Sequence, residues 1–403
     1  MKSALNFDVI VVGAGIIGAS IAWHLSQKGK TVCVLDSKGP AAAASGASDG
    51  AVSVCSKRPG LMATLAHESL GITKELARDG GPLNTVFKER PSFIFARGEE
   101  EDTVVGDLAN RLEKAKGATR VYKDHQLPSD AINGLSASIT RLLEVHGEGH
   151  MLGYDATFNY LTDEHVKKIY PANLLSWEQR PSGAIRVTTS SCEIECDQLV
   201  LATGLGTSSF FPDLPIYSHV GQIIVTDRGG GEGAELPGAL TSAAYLMSKI
   251  RADSQKAHIP VVLDPVDTGQ LLIGSSRERG RTTRHTDFST VKRLLISATE
   301  AYPPLALRRV IRVFAGARSA VEDGLPIVGA VPDMPNVHIV TGFEGDGICL
   351  SALMGREVSK SLCGGTLDSS LAALSPARFL SSATLPCAAS ANTSPAAHKG
   401  FIA

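Results

Sequence analysis

FDVIVVGAGIIGASIAWHLSQKGKTVCVLD, residues 7–36, decides the fold. Val9-Ile10-Val11-Val12 is short, β-branched and apolar throughout, the pattern of a parallel strand buried on both faces. Gly13-Ala14-Gly15-Ile16-Ile17-Gly18 follows at once and opens a helical pattern through Ile21 and Leu25. Gly13 permits a tight turn, Gly15 lets a pyrophosphate approach the backbone, and Gly18 lets the helix pack close to the sheet. The helix N-terminus offers N–H groups and a partial positive charge to phosphates. The next apolar run, Val32-Cys33-Val34-Leu35, ends on Asp36, placed to accept hydrogen bonds from a ribose. An acid there argues against a 2′-phosphate and leaves FAD and NAD as candidates.

Working outward, the 403 residues exceed one ordinary domain, and 43% hydrophobic content supports a large core. A net charge of -2 gives no electrostatic reason to expect nucleic acid. No apolar run is long enough to cross a bilayer, and the one from Val9 is broken by glycines and preceded by Asp8, unlike a signal peptide. A reducing, cytoplasmic setting is the default expectation. The seven cysteines are scattered without a CxxC pair and read as small core hydrophobes, so no metal site is expected.

After Asp36 comes a stretch of small residues, 40–51. Ser45 and Ser48 within it are placed to donate to phosphate. Ser56-Lys57-Arg58-Pro59-Gly60 is a basic turn. Helices are expected over 61–77, 99–116, 156–168, 287–301 and 349–362. Strands are expected at 92–96, 174–178, 184–188, 192–196, 197–202, 222–226, 308–314 and 337–341, with a hairpin over 260–275. Two of these strands run into Gly turns: Leu199-Val200-Leu201-Ala202-Thr203-Gly204, and Val337 to Thr341 followed by Gly342-Phe343-Glu344-Gly345-Asp346-Gly347-Ile348. From Gly364 on, little periodicity remains, and a disordered tail over 364–403 is expected.

Four blocks, GAGIIGASIAWHLSQKGKTVCVLD (13–36), SGASDG (45–50), CDQLVLATG (196–204) and DGLPIVGAVPDMPNVHIVTGFEGDGICLSALMG (323–355), resemble the D-amino-acid oxidase and glycine/sarcosine oxidase family of FAD-dependent amine oxidoreductases. TGQLLIGSSRE (268–278) and FEGDGICLS (343–351) resemble its opine and hydroxyproline dehydrogenase branch. The resemblance implies an α/β plus α+β architecture. A discontinuous Rossmann-like FAD-binding domain (1–58, 149–210 and 315–363) would carry an inserted mixed-sheet substrate domain (59–148 and 211–314). It implies non-covalent FAD touched by Gly13, Ala14, Gly15, Ile16, Ile17, Gly18, Asp36, Ser45, Ala47, Ser48, Gly50, Ala202, Gly204, Gly345, Asp346, Gly347 and Ile348. The segment VIRVFAGARS places a carboxylate-binding arginine at Arg318. The chain departs from the family at Phe343-Glu344 and after Arg277, both on the substrate side.

The implied reaction is oxidation of the CH–NH bond of a small amino or imino acid by hydride transfer to flavin N5. The resulting imine hydrolyses to the oxo acid, and oxygen or another acceptor reoxidises the flavin. The protein must then hold the α-carbon and fix the carboxylate. Arg318 suits the carboxylate because a guanidinium makes two parallel hydrogen bonds to it; an ion pair with Glu322 or Asp323 is the structural alternative. Arg58 and Tyr245 are further substrate-side candidates. Glu344 reads as a turn residue, and His67 and His219 as structural histidines. Two other readings stay open: an NAD-linked dehydrogenase, and a non-catalytic flavin-binding subunit of a hetero-oligomer. A homo-oligomer is equally compatible with the sequence.

Overall fold

The computed structural model describes residues 5–57, 59–115, 117–123, 126–229, 236–250, 260–274, 276–281 and 283–380. The apolar run of the opening stretch forms the strand Leu5–Val12, central in an eight-stranded sheet. It pairs in parallel with Val32–Leu35 on one side and Glu193–Leu201 on the other. Being covered on both faces, Val9 to Val12 are all buried, which is why the run is apolar rather than alternating. Glu193–Leu201 is one strand, where the sequence suggested two. Its first half pairs with Ile185–Thr189, and its last residues pair in parallel with Met334–Thr341. Both Gly turns therefore leave the C-terminal edge of the sheet beside Gly13, the usual place for a ligand in an open α/β sheet.

Helices Ile16–Ser26, Leu61–Leu76 and Gly347–Leu362 pack on one another on one side of this sheet. Close crossing is possible because Gly355 has no side chain: a Cβ there would sit 2.2 Å from Ser20 Oγ and 2.6 Å from His24 Nδ1. The helix expected over 156–168 is shorter, Gly153–Tyr160, and Val166–Ile169 is an edge strand parallel to Val32–Leu35. Val166 in that strand is buried while Lys167 is exposed, so the alternation there is a strand's.

A second sheet has nine strands, and Ile216–Thr226 and Val310–Val321 form its long antiparallel pair. The sequence expectation ended this second strand at 314 and assigned 315 onward to the first domain. Val310–Val321 is continuous, so Arg318 belongs to the second sheet. Behind it lies Phe288–Ala301, whose N-terminus is capped by Asp287 accepting from the Thr290 N–H.

Two further expectations change. Residues 364–380 are not a free tail: short turns at Ser369–Leu374 and Pro376–Arg378 bury Leu371, Leu374 and Leu380. Arg378 secures them, bonding Asp323 and the carbonyls of Leu325 and Pro326. The rest of the expected tail, 381–403, lies outside the described residues. Cys33, Cys55, Cys196 and Cys349 are buried as expected of core residues, but Cys363 is exposed.

Candidate functional site

The Gly13–Gly18 loop has the geometry its glycines predict. Gly13 has φ 112°, and a Cβ on it would lie 2.3 Å from the Ala202 carbonyl, so the first and second Gly turns touch. A Cβ on Gly18 would lie 2.0 Å from the Gly13 carbonyl, which is what brings the helix onto the strand. Asp36 Oδ2 accepts from the Ala14 N–H at 2.8 Å, while Oδ1 accepts from Lys38 and Gly39. A carboxylate has about four acceptor positions, so Asp36 keeps capacity for a ribose hydroxyl. Ser45 Oγ accepts from the Ile16 N–H at 2.9 Å and so stands at the helix N-terminus, whose first turn carries no acidic residue. This cradle fits a dinucleotide diphosphate: an uncrowded positive helix end, glycine backbone, and a carboxylate at the next strand.

Ser45, Gly46 and Ala47 form a short turn at the edge of the cradle. A Cβ on Gly153 would fall within 3 Å of the Ser45 carbonyl, Ser48 Oγ and Ile348 Cδ1, so these three meet. Ser48 Oγ donates to the Ser45 carbonyl. Gly316, on the second sheet, lets that sheet approach: a Cβ there would lie 2.8 Å from Ala47 Cβ. Gly50, with φ 88°, packs on His150. Gly204 accepts from Thr341 Oγ1 at 2.9 Å, which joins the second and third Gly turns.

The face of the second sheet that meets Ala47 carries Arg318, the residue expected on the substrate side. Register pairs Tyr217 with Ala320, His219 with Arg318, and Gly221 with Gly316. Paired residues of an antiparallel ladder project to one face. Arg318 therefore shares a face with Gly316, and its guanidinium lies over Gly221, where a Cβ would be 2.6 Å from Nη2. Gly345 of the last Gly turn lies opposite, 4.0 Å from Arg318 Nε to its would-be Cβ. The alternative partners are otherwise engaged: Glu322 pairs with Arg279, and Asp323 with Arg378 at 2.7 Å.

Four residues that the sequence did not single out as site residues join Arg318. Glu344 Oε1 lies 3.1 Å from Arg277 Nη2, 3.4 Å from His219 Nδ1 and 3.9 Å from Arg318 Nη1. Glu344 is indeed a turn residue, with φ 49°, but its carboxylate is also the centre of this cluster. Lys57, almost fully buried, bonds Asp346 Oδ1 at 2.7 Å and ties the basic turn to the last Gly turn. Burial acts against the charge on Lys57, but Asp346, helped by Cys349 and Tyr245, outweighs it and holds the pKa above the usual lysine value. Burial likewise opposes the Arg318 charge, and Glu344, Tyr245, Asp49 and Asp346 together more than restore it. The sequence signals for these partners were the basic turn at 56–60, the cluster of charges in Arg277-Glu278-Arg279 and the unusual Phe343-Glu344.

Tyr245, in the helix Ala243–Ile250, is close enough to Lys57 and Arg318 to influence both charges. It is half-buried against a satellite core that includes Cys55 and Ile94. Arg58 lies outside the described residues. His67 does not belong to the cluster. Thiol chemistry has no support: burial pushes Cys33 and Cys196 up to about 12, so both stay neutral. Among the described residues, no group of three His, Cys, Asp or Glu side chains is placed to hold a metal ion. No helix among them is long and apolar enough to cross a membrane.

Comparison with known proteins agrees with this geometry. The family model described as DAO, FAD dependent oxidoreductase, matches residues 8–361. Glycine oxidase of Bacillus licheniformis is 25% identical over 381 residues, covering 89% of this chain and 94% of the relative. An opine oxidase subunit of Rhizobium meliloti is 26% identical, covering 92% of this chain and 97% of the relative. Among solved structures, glycine oxidase from Geobacillus kaustophilus superposes with a TM-score of 0.83 at 19% identity, covering 94% of this chain and all of that one. L-proline dehydrogenase from P. horikoshii gives 0.81 at 16% identity, covering 93% and 98%. The fold is thus that of flavin-dependent oxidases, and FAD, not NAD, is the cofactor for which the chain is built. With a matching model over most of its length and a diphosphate cradle at its N-terminus, the chain belongs to the DAO family of FAD-dependent oxidoreductases.

Proposed function

We propose that the chain oxidises the CH–NH bond of a small amino or imino acid to an imine that hydrolyses to the oxo acid. One observation carries this reading: Arg318 stands on the sheet face opposite Gly345, over a glycine that leaves its guanidinium room. The Gly13–Gly18 loop, Asp36 and Ser45 would hold the adenosine and diphosphate of FAD. Ala202, Gly204 and the 345–348 turn would lie along the remainder, with Ala47, Ser48 and Gly50 between. Bound flavin supplies a hydride acceptor for the α-carbon. Arg318 would fix the substrate carboxylate through paired N–H donors, which orients the α-carbon and removes much of the entropic barrier. Lys57 and Asp346 keep the turn that faces it in one place. The glycine oxidase relative, whose name specifies an amino acid, supports the same substrate class.

The test is anaerobic addition of glycine, sarcosine, D-amino acids, proline derivatives and opines to the flavin-loaded protein. Bleaching of the flavin by one of them is expected, and Arg318→Ala should raise the apparent KM for that substrate at least about tenfold. A panel that leaves the flavin oxidised throughout removes the proposal. Oxygen or another acceptor would then reoxidise the flavin. Similarity to two opine oxidase subunits supports assembly with a second kind of polypeptide, to be read from native mass after co-expression. Free buried thiols support a reducing, cytoplasmic setting.

A further inference from the structure

Glu344 adopts a left-handed backbone, φ 49°, that residues other than glycine, asparagine and aspartate seldom take. Its N–H donates to the Ser319 carbonyl at 2.7 Å, so the turn is clamped beside Arg318. A strained position held in place this way points to a selected side chain. That side chain delivers one carboxylate oxygen to Arg277, His219 and Arg318 together. Two guanidinium charges against the Glu344 carboxylate, with Asp49 and Asp346 also acting on Arg318, leave at most a single positive charge, enough for no more than one carboxylate of a substrate. The small cavity beside the cluster is walled by Met62, Tyr217 and Phe343 on its apolar side, and its charged wall holds Arg277 together with Glu344 and Asp346. Asp346 is already matched by Lys57, so that pair adds no net attraction for an anion.

We infer that Glu344 is the specificity-determining residue of the site: by holding Arg277 as its own partner, it restricts the enzyme to monocarboxylic amino or imino acids and turns away dicarboxylic ones. This deepens the proposed function and rests on it for the reacting group, but the discrimination is a property of the pocket charges alone. A second carboxylate would have to sit against Glu344, and like charges at close range in a half-buried site are strongly unfavourable. Removing the Glu344 charge frees Arg277 to accept that second carboxylate in a paired geometry.

The experiment measures equilibrium binding of two non-oxidisable ligands to the FAD-loaded protein, followed by the change in the flavin absorbance band. The ligands are pyrrole-2-carboxylate and pyrrole-2,5-dicarboxylate, which share one ring. Wild type should bind the monocarboxylate at least about tenfold more tightly, and Glu344→Gln should reduce that ratio by about tenfold or more through a gain for the dicarboxylate. Glu344→Asp, which keeps the charge, should keep the preference and guards against a merely structural effect. In Arg277→Gln both ligands should weaken, without any gain for the dicarboxylate. The inference is overturned if wild type binds the dicarboxylate as tightly, if Glu344→Gln leaves the ratio unchanged, or if neither ligand binds. Discrimination as described, together with a flavin that no amine or imino acid reduces, would instead count against the proposed reaction while leaving the role of Glu344 intact.

Discussion

Lys57 Nζ and Asp346 Oδ1 are 2.7 Å apart, in a pair that joins the loop after the second strand to the N-terminus of the last long helix. The ammonium side chain is only 4% exposed, so the pair holds together two segments far apart in sequence at the edge of the site. Breaking one member of such a buried pair leaves an uncompensated charge and costs about 3–5 kcal/mol. Lys57→Met should therefore lower the urea midpoint strongly, and Lys57→Met with Asp346→Leu should recover most of the loss. Because the Lys57 pKa is raised, its contribution is fully present around neutral pH and is lost as pH rises through that elevated value. A single variant as stable as wild type would show that the pair holds nothing.

Gly18 lies so close to the Gly13 carbonyl that any side chain must push the first helix off the sheet. Gly18→Ala should fold but lose most of its flavin through gel filtration, seen as a fall in the visible-to-ultraviolet absorbance ratio. Full retention of flavin would remove the close-packing role assigned to this glycine.

Arg378 bonds Asp323 Oδ2 at 2.7 Å and the carbonyls of Leu325, Pro326 and Leu374. Its loss leaves partly buried acceptors without a donor, at about 2 kcal/mol in all. Arg378→Ala should loosen residues 364–380, giving new early cuts there in limited proteolysis and a lower melting temperature. An unchanged digestion pattern would mean that Leu371, Leu374 and Leu380 suffice to seat the segment.

His24 is buried at the crossing of two helices, with Nδ1 2.8 Å from the Ser20 carbonyl. Burial lowers its pKa to about 4, and the nearby positive charges of Lys28 and Arg356 act in the same direction. A histidine whose folded pKa is depressed stabilises the fold above its unfolded value. That stability is lost as pH falls from about 6.5 through about 4, amounting to about 3 kcal/mol. His24→Gln cannot titrate, so its stability should fall less steeply than that of wild type over that interval, in urea titrations at successive pH values. Parallel curves would show that His24 does not charge on unfolding.

Residues 7–36 were readable because strand, turn and helix are set by local backbone geometry. An apolar run needs burial on both faces, and Gly13 and Gly18 each sit where a Cβ would strike a carbonyl. The buried end of the strand Glu193–Leu201, Leu199 to Leu201, and the turn at 342–348 were legible for the same reason. Local pattern failed at 156–168, where a short helix and an edge strand lie end to end, and at 364–380, where a few scattered apolar side chains make the anchor. It also divided Val310–Val321 at 315, because small residues there are dictated by contact with Ala47 and not by strand propensity.

By itself, then, the sequence determined the dinucleotide-binding half, the presence of a second mixed sheet, and Arg318 as the arginine to watch. Only the tertiary structure decided what Arg318 faces. His219 reaches it by antiparallel register, Arg277 by the strand turn beside it, and Glu344 by the clamp of its N–H on Ser319. Electrostatic partners of this kind are chosen by distance in space, over which separation along the chain has no control. A charge that reads as a solvated turn residue becomes the centre of a site only when two sheets close over it.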